Sequence, residues 1–275
     1  MNNLVVRTLS GIGFVIIMLV GLLVDKFLFA ALVLFVMAVS MHEFYHMTIG
    51  DGYRTQRILA TVTGCIMFTL VFLSCAFKLS GKFLSLTMVP VIILMISSLY
   101  AKDRSDFKRL SHIYTGLLYI AAPFTLSNII AFHGGEFNAL LLLCFFVIIW
   151  CSDIGAYVVG STLGQKYGKK LWPEISPKKS WAGFWGGMAF AVLATLLLRI
   201  AGLMELPVIH GIIMAVIMHV AGVYGDLFES QWKRACDVKD SGRIIPGHGG
   251  MLDRFDSAIF AIPAGAIYLS LLNLL

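Results

Sequence analysis

Four polar side chains at the end of one apolar segment could act together on a single ligand. Asp226, Ser230, Lys233 and Arg234 stand at positions i, i+4, i+7 and i+8, so a continuous helix places all four on one face. A carboxylate is a suitable ligand for Mg²⁺, and lysine and arginine bind phosphate groups. The spacing therefore predicts a site for a phosphate compound together with a divalent cation.

A second acidic pair stands at the start of the last apolar segment. Asp253 and Asp256 are three residues apart, which puts them on one helix face, and they follow Gly249 and Gly250. Glycine lets the backbone approach a ligand closely. An uncompensated acid at a membrane edge is costly and usually marks function, so a functional site is favoured over an ordinary charged loop.

Two further patches are candidates for substrate binding. Asp153 lies about two turns inside the end of an apolar segment, where an ionisable side chain is a functional candidate by default. The other patch precedes an apolar helix and combines hydroxyls with lysines, at Ser176, Lys178, Lys179 and Ser180. It could hold phosphate at the helix N-terminus. A basic membrane anchor beside the interfacial Trp181 explains the same residues equally well.

One motif indicates a different activity. His42, Glu43 and His46 match HExxH, in which two histidines bind zinc and the glutamate acts as general base. In a membrane protein this motif would suggest an intramembrane metalloprotease, with Asp253 as a third metal ligand. The motif does not account for the basic, glycine-rich segment, so the protease hypothesis is disfavoured.

The elements that position these residues must lie in a membrane. Of 275 residues, 59% are hydrophobic and only 13% are charged, whereas soluble domains carry about 25% charged residues. This composition excludes a cytosolic enzyme, a secreted disulfide scaffold and a disordered protein. The excess of 21 Lys and Arg over 15 Asp and Glu indicates basic loops beside anionic lipid headgroups, and no nucleic-acid partner is expected.

The apolar segments predict an all-α, polytopic membrane helix bundle with about nine transmembrane helices and cytoplasmic active-site loops. The predicted spans are 9–24, 27–47, 58–77, 83–100, 113–132, 138–160, 184–204, 208–228 and 255–274. We divide the chain into an N-terminal transmembrane region, 1–135, and a C-terminal catalytic region, 136–275. No internal repeat is apparent, and most ionisable residues cluster at one face of the membrane. Both observations disfavour a transporter.

The distribution of basic residues predicts the orientation. Seventeen of the 21 Lys and Arg residues fall at the N-terminus and in the loops after spans 2, 4, 6 and 8. Loops rich in these residues face the cytoplasm. We therefore expect a multi-pass protein of the cell (inner) membrane with a cytoplasmic N-terminus. The two longest polar connections, 161–183 and 229–254, would lie together on the cytoplasmic side.

The segment 230–256 resembles a known signature. It combines, at fixed spacing, Ser230, Lys233, Arg234, Lys239, Asp240, Gly242, Ile245, Pro246, His248, Gly249, Gly250, Met251, Asp253, Arg254, Phe255 and Asp256. This pattern is similar to that of the phosphatidate cytidylyltransferase family, also called CDP-diacylglycerol synthase. The 176–181 patch and the segment around Asp153 look like that family too. Trp232 and Ala182 depart from its pattern, and no catalytic role is assigned to position 182.

The resemblance implies transfer of a cytidylyl group from CTP to phosphatidate, giving CDP-diacylglycerol and pyrophosphate. It implies Mg²⁺, and a second monovalent or divalent cation is also considered. Asp226 and Asp253 are the expected metal ligands, with Asp256 supporting them. The other catalytic candidates are Lys233, Arg234, Lys239 and His248. The substrate-binding candidates are Asp153, Ser176, Lys178, Lys179, Ser180, Ser230, Gly249, Gly250 and Arg254. The expected partners are CTP, phosphatidate, the lipid bilayer and a second copy of the chain in a homodimer.

Overall fold

The computed structural model of this chain describes residues 3–50, 53–100, 107–165, 168–245, 247 and 249–275, and these residues are mainly helical. The first helices are α1 (Asn3–Leu23), α2 (Lys26–Ile49), α3 (Arg54–Ala76), α4 (Met88–Ser98), α5 (Phe107–Gly116) and α6 (Ala122–Ala131). A 3-10 helix, Gly81–Thr87, leads into α4, and a π-helical turn, Leu117–Ala121, joins α5 to α6. A single 3-10 turn, His133–Gly135, follows α6.

The remaining elements include one short β-hairpin. The helices are α7 (Leu140–Val159), α8 (Trp181–Ile200), α9 (Val208–Ala235) and α10 (Leu252–Leu271), and α7 continues into a π-helical turn at Gly160–Gly164. The strands β1 (Lys170–Trp172) and β2 (Ser176–Ser180) pair antiparallel, with an irregularity in the register between Lys170 and Trp172. The pattern of apolar segments did not indicate this hairpin.

The predicted polytopic all-α fold is confirmed. Within the described part of the chain, seven helices are long and apolar enough to cross a membrane. Two of the nine predicted spans coincide with α1 and α10, which are not among these seven. The apolar part of α1, Thr8–Leu23, is shorter than the others, and α10 begins with charged residues at positions 253, 254 and 256.

The chain packs as two compact units. The first comprises Met1–Asn138 and Cys236–Arg254, and the second comprises Ala139–Ala235 and Phe255–Leu275. The predicted division into 1–135 and 136–275 stays a prediction, and the packing assigns the segment Cys236–Arg254 to the first unit.

Aromatic side chains form much of the core of the first unit. Phe29 contacts Phe68 and Phe137 with ring centroids 6.3 and 5.7 Å apart, and Phe72 contacts Phe132 at 5.8 Å. Such pairs stabilise a core beyond the apolar area that they bury. They hold α2 and α3 against the chain that follows α6, and α2 carries Glu43 near its C-terminal end.

Small residues allow the helices of the second unit to pack closely. A Cβ atom at Gly155 of α7 would lie 2.5 Å from Phe190 of α8, and one at Gly186 of α8 would lie 2.5 Å from Val159 of α7. Glycine at helix interfaces lets backbones approach in membrane proteins, where apolar burial itself supplies little attraction between helices. The close packing of α7 and α8 positions Asp153 and the hairpin relative to α9.

Candidate active site

The helix α9 carries Asp226 in its C-terminal part. The helix has 28 residues, or about 42 Å at 1.5 Å per residue. It is therefore longer than the hydrocarbon core of a membrane, which is about 30 Å thick. The predicted continuation of the span as a helix is thus confirmed. Ser230 Oγ donates a hydrogen bond to Asp226 Oδ1 at 3.2 Å, one turn earlier on the same face.

Lys179 of β2 forms an ion pair with Asp226. The Lys179 Nζ lies 2.8 Å from Asp226 Oδ2, with the two side chains 22% and 36% exposed. The same Nζ lies 3.5 Å from the carbonyl oxygen of Val223 on α9. Two candidates from separate segments therefore meet, and the lysine partly compensates the carboxylate at a half-buried position.

Three acidic side chains of the second unit act electrostatically on a fourth. Asp226, Glu229 and Asp153 lie close enough to Asp256 for their negative charges to disfavour its ionised form. The helices α9 and α10 approach closely here, since a Cβ atom at Gly225 would lie 2.5 Å from the carbonyl oxygen of Asp256. Like charges at short range disfavour one another unless a cation or a proton compensates them.

Glu229 is a member of this group that the sequence analysis did not select. It is fully buried, and its Oε2 forms an ion pair with Lys233 Nζ one turn later on α9. The Lys233 side chain is only 12% exposed. Glu229 follows Asp226 by three residues, so helical spacing could have placed both on one face. Lys233, predicted as a phosphate contact, lies beside this buried carboxylate.

A small cavity in the second unit borders Asp153. It is lined by Ile148, Ile149, Ser152, Asp153, Met218, His219, Gly222, Val223 and Ser257. Inside it, Ser152 Oγ and His219 Nδ1 lie 2.7 Å apart, and both residues are buried. They are 67 positions apart in the chain, so no local spacing indicated this pair. Asp153 itself is exposed.

Asp253 bonds the glycine-rich segment of the first unit, which runs from Ser241 to Gly250 in the sequence. Its Oδ2 accepts hydrogen bonds from the backbone N–H groups of Ser241, at 3.0 Å, and Gly250, at 2.8 Å. Gly249 has a φ of +87°, and a Cβ atom there would lie 2.8 Å from the same oxygen. Two amide donors thus orient this carboxylate, and glycine makes room for it. His248 lies outside the described residues.

The metalloprotease hypothesis is inconsistent with the position of Glu43. Its carboxylate is buried and accepts hydrogen bonds from the backbone N–H groups of Met251 and Leu252. A general base has to reach a metal-bound water, whereas these oxygens are occupied by amides. The rings of His42 and His46 stack with centroids 6.4 Å apart, and both residues are exposed.

Ser180 caps a helix. It is 3% exposed, and its Oγ accepts a hydrogen bond from the N–H of Gly183 at 3.2 Å, at the N-terminus of α8. Its neighbour Ser176 is half-buried. The hydroxyl group of Ser180, a predicted phosphate contact, therefore accepts a hydrogen bond from the first turn of α8. The exposed cationic candidates are Lys178, Arg234, Lys239 and Arg254.

Among the described residues, no group of three or more His, Cys, Asp or Glu side chains is placed to hold a metal ion. Mg²⁺ does not require one, because it keeps several waters and is usually bound through one or two carboxylates together with substrate phosphates. In the first unit the oriented carboxylate of Asp253 fits such a cation. In the second unit the acidic surroundings of Asp226 are suited to a cation too.

The chain is similar to known proteins over nearly its whole length. Residues 5–272 match the model of the cytidylyltransferase family. The chain is 32% identical over 264 residues to the phosphatidate cytidylyltransferase of Bacillus subtilis, with 94% of each protein covered. It is 37% identical over 182 residues to that of Rickettsia bellii, covering 64% of this chain and 75% of the relative. For that of Staphylococcus epidermidis the identity is 35% over 172 residues, covering 62% and 63%.

Proposed function

The chain belongs to the cytidylyltransferase family, and on this premise we propose roles for its acidic and basic residues. The protein is a membrane enzyme that transfers a cytidylyl group from CTP to phosphatidate, forming CDP-diacylglycerol and pyrophosphate for phospholipid biosynthesis. The observation that carries this conclusion is the family match over residues 5–272. The acidic group around Asp256 and the exposed cations are consistent with a reaction between polyanions.

Asp226 and Asp253 are the proposed Mg²⁺ ligands, and Asp256 supports Asp226. Around Asp256 the second unit holds four carboxylates, of which two are ion-paired with Lys179 and Lys233. Carboxylates brought together in this way favour compensation by a cation. When bound, Mg²⁺ would neutralise phosphate charge and polarise the phosphorus that is attacked.

The cationic residues are assigned to the phosphate groups of the substrates. Lys178, Arg234, Lys239 and Arg254 are exposed, so polyanionic ligands can reach them. Lys179 forms an ion pair with Asp226. A phosphate group bound by Lys179 would therefore lie close to the acidic side chains. Arginine and lysine bind phosphate through charge-assisted hydrogen bonds. The other substrate-binding assignments, and that of His248, stay predictions.

No general base is needed in this reaction. The attacking group is a phosphate monoester, whose second pKa is about 6, so it is largely a dianion at neutral pH. The enzyme has to bring two polyanions together and stabilise the charge that develops at the α-phosphorus. This requirement explains why the site is rich in carboxylates and cations. It also agrees with the buried, hydrogen-bonded state of Glu43.

The proposed location is the cell membrane, with the N-terminus and the site on the cytoplasmic side. Support comes from the seven apolar helices and from the concentration of basic residues in alternate loops. A phosphatidate headgroup could then enter from the inner leaflet, while CTP arrives from the cytoplasm. The homodimer stays a prediction.

The proposed function is tested with purified protein in detergent micelles containing phosphatidate, Mg²⁺ and CTP labelled at the α-phosphate. We expect label in the lipid extract, and we expect it to depend on both phosphatidate and Mg²⁺. A preparation lacking phosphatidate serves as the control for water-soluble label. Label that stays in the aqueous phase under all these conditions would refute the assignment.

A further inference from the structure

Glu43 contacts a segment more than 190 residues away in the sequence. Its Oε1 accepts the N–H of Met251 at 3.0 Å, and its Oε2 accepts the N–H of Leu252 at 2.9 Å. Ser241 Oγ donates to the same Oε2 at 3.3 Å. Glu43 is 7% exposed, and all four residues belong to the first unit. A buried carboxylate therefore bonds the first residues of α10 and the start of the glycine-rich segment.

The segment is shaped around this carboxylate. A Cβ atom at Gly242 would overlap the Glu43 side chain, to which its three nearest atoms belong. A Cβ atom at Gly250 would overlap Ser241 Oγ and lie 2.6 Å from Glu43 Oε2. Glycine at these two positions leaves the space that the Glu43 carboxylate and the Ser241 hydroxyl group fill.

Asp253 bonds the same segment. It takes the N–H groups of Ser241 and Gly250, while Glu43 takes the next two amides along the chain and the Ser241 hydroxyl. Negative charge at a helix N-terminus is stabilised by the helix dipole and by the unpaired amides of the first turn. Each of the two carboxylates thus accepts a different set of donors at the start of α10. Moving one carboxylate therefore changes the environment of the other.

We infer that Glu43 is a positioning residue for cytidylyl transfer: it holds Ser241, Met251 and Leu252 in the positions that orient the Asp253 carboxylate. Glu43 acts through Asp253 and does not contact substrate. The inference rests on the proposed role of Asp253 as a metal ligand. Partners that orient metal ligands typically contribute ten- to a hundredfold to metal affinity or activity, and we expect an effect of that size.

The main variant is Glu43→Gln, which keeps the shape but replaces one acceptor oxygen with a donor. We expect kcat at low Mg²⁺ to fall about ten- to a hundredfold, with a higher Mg²⁺ concentration at half-maximal rate. Because Asp253 is still present, raised Mg²⁺ should restore most of the rate. The matched control is Glu136→Gln, an exposed glutamate of the same unit that pairs with Lys78, and it should leave the Mg²⁺ dependence unchanged.

A second comparison uses Gly242→Ala. The three atoms nearest its new methyl group belong to Glu43. Gly242→Ala should therefore lower activity, whereas adding it to Glu43→Ala should cause little further loss. Such non-additivity is expected of residues in direct contact. Equal additional losses in both backgrounds would contradict a contact through Glu43.

Hydrogen exchange supplies a readout that is independent of activity. In the wild-type protein, the amides of Met251 and Leu252 should exchange slowly, and Glu43→Gln should accelerate them. Fast exchange in the wild type, or an unchanged Mg²⁺ dependence in a folded Glu43→Gln, would overturn the positioning role. Normal turnover by Asp253→Asn would instead refute the metal assignment, while the exchange result still reports on Glu43.

Discussion

Replacing Asp253 with asparagine separates the chemical role of this residue from its structural one. Asparagine preserves the shape and keeps one oxygen that can accept the N–H groups of Ser241 and Gly250. It removes the negative charge, and a neutral amide is a poor ligand for a hard cation such as Mg²⁺. Activity and stability should therefore respond to this change by different amounts.

The expected structural cost follows from the two hydrogen bonds. A bond to a charged acceptor contributes about 1.5–3 kcal/mol, and one to a neutral acceptor contributes about 1 kcal/mol. Asp253 is only partly buried, so the lower end of this range applies. We expect the free energy of unfolding to fall by about 1–2 kcal/mol. The fold should survive a loss of this size.

The expected catalytic cost is larger. Losing a metal ligand should reduce kcat at least about a hundredfold, which is about 2.7 kcal/mol of transition-state stabilisation. Raised Mg²⁺ should restore little of it, in contrast to the recovery expected for Glu43→Gln.

The assay is cytidylyl transfer to phosphatidate across a Mg²⁺ titration, with thermal unfolding measured on the same preparations. Asp240→Asn is the matched control, because Asp240 is an exposed acid of the same segment to which no metal role is assigned. Near-normal turnover by Asp253→Asn, or equal losses in the two variants, would refute the reasoning.

Three further predictions concern a motif, a helix cap and the orientation. His46→Ala should retain most of the cytidylyl transfer activity, because no zinc chemistry is assigned to this histidine; stoichiometric zinc bound through it would contradict this. Ser180→Ala should lower the free energy of unfolding by about 1 kcal/mol through loss of the α8 cap, as measured by thermal unfolding, with Ser176→Ala as a control of smaller effect. Cys236 should react with an impermeant maleimide only when the cytoplasmic face is opened, and Cys236→Ser should abolish that signal. Burial and the nearby Asp237 raise the pKa of this thiol, so labelling should accelerate as pH rises past the usual thiol pKa; labelling in intact cells would refute the orientation.

The sequence by itself determined the class of the protein and most of its helices. Long apolar runs need helical backbone in lipid, where every N–H and C=O must find a partner within the segment, so composition predicted the spans. Spacing also predicted that Asp226 and Ser230 share a helix face, because a helix places residues four apart side by side. The signature at 230–256 indicated the reaction before any geometry was available.

Only the tertiary structure decided which distant side chains meet. Lys179 reaches Asp226 from a β-hairpin that periodicity did not indicate, and Glu229 proved to be buried beside Lys233. Glu43 meets Met251 and Leu252 across 208 and 209 positions of the chain, although the sequence had offered it as a protease base. Local spacing determines which residues share a helix face. Which other residues contact that face depends on how the helices pack. Packing depends on many weak contacts that form together throughout the fold.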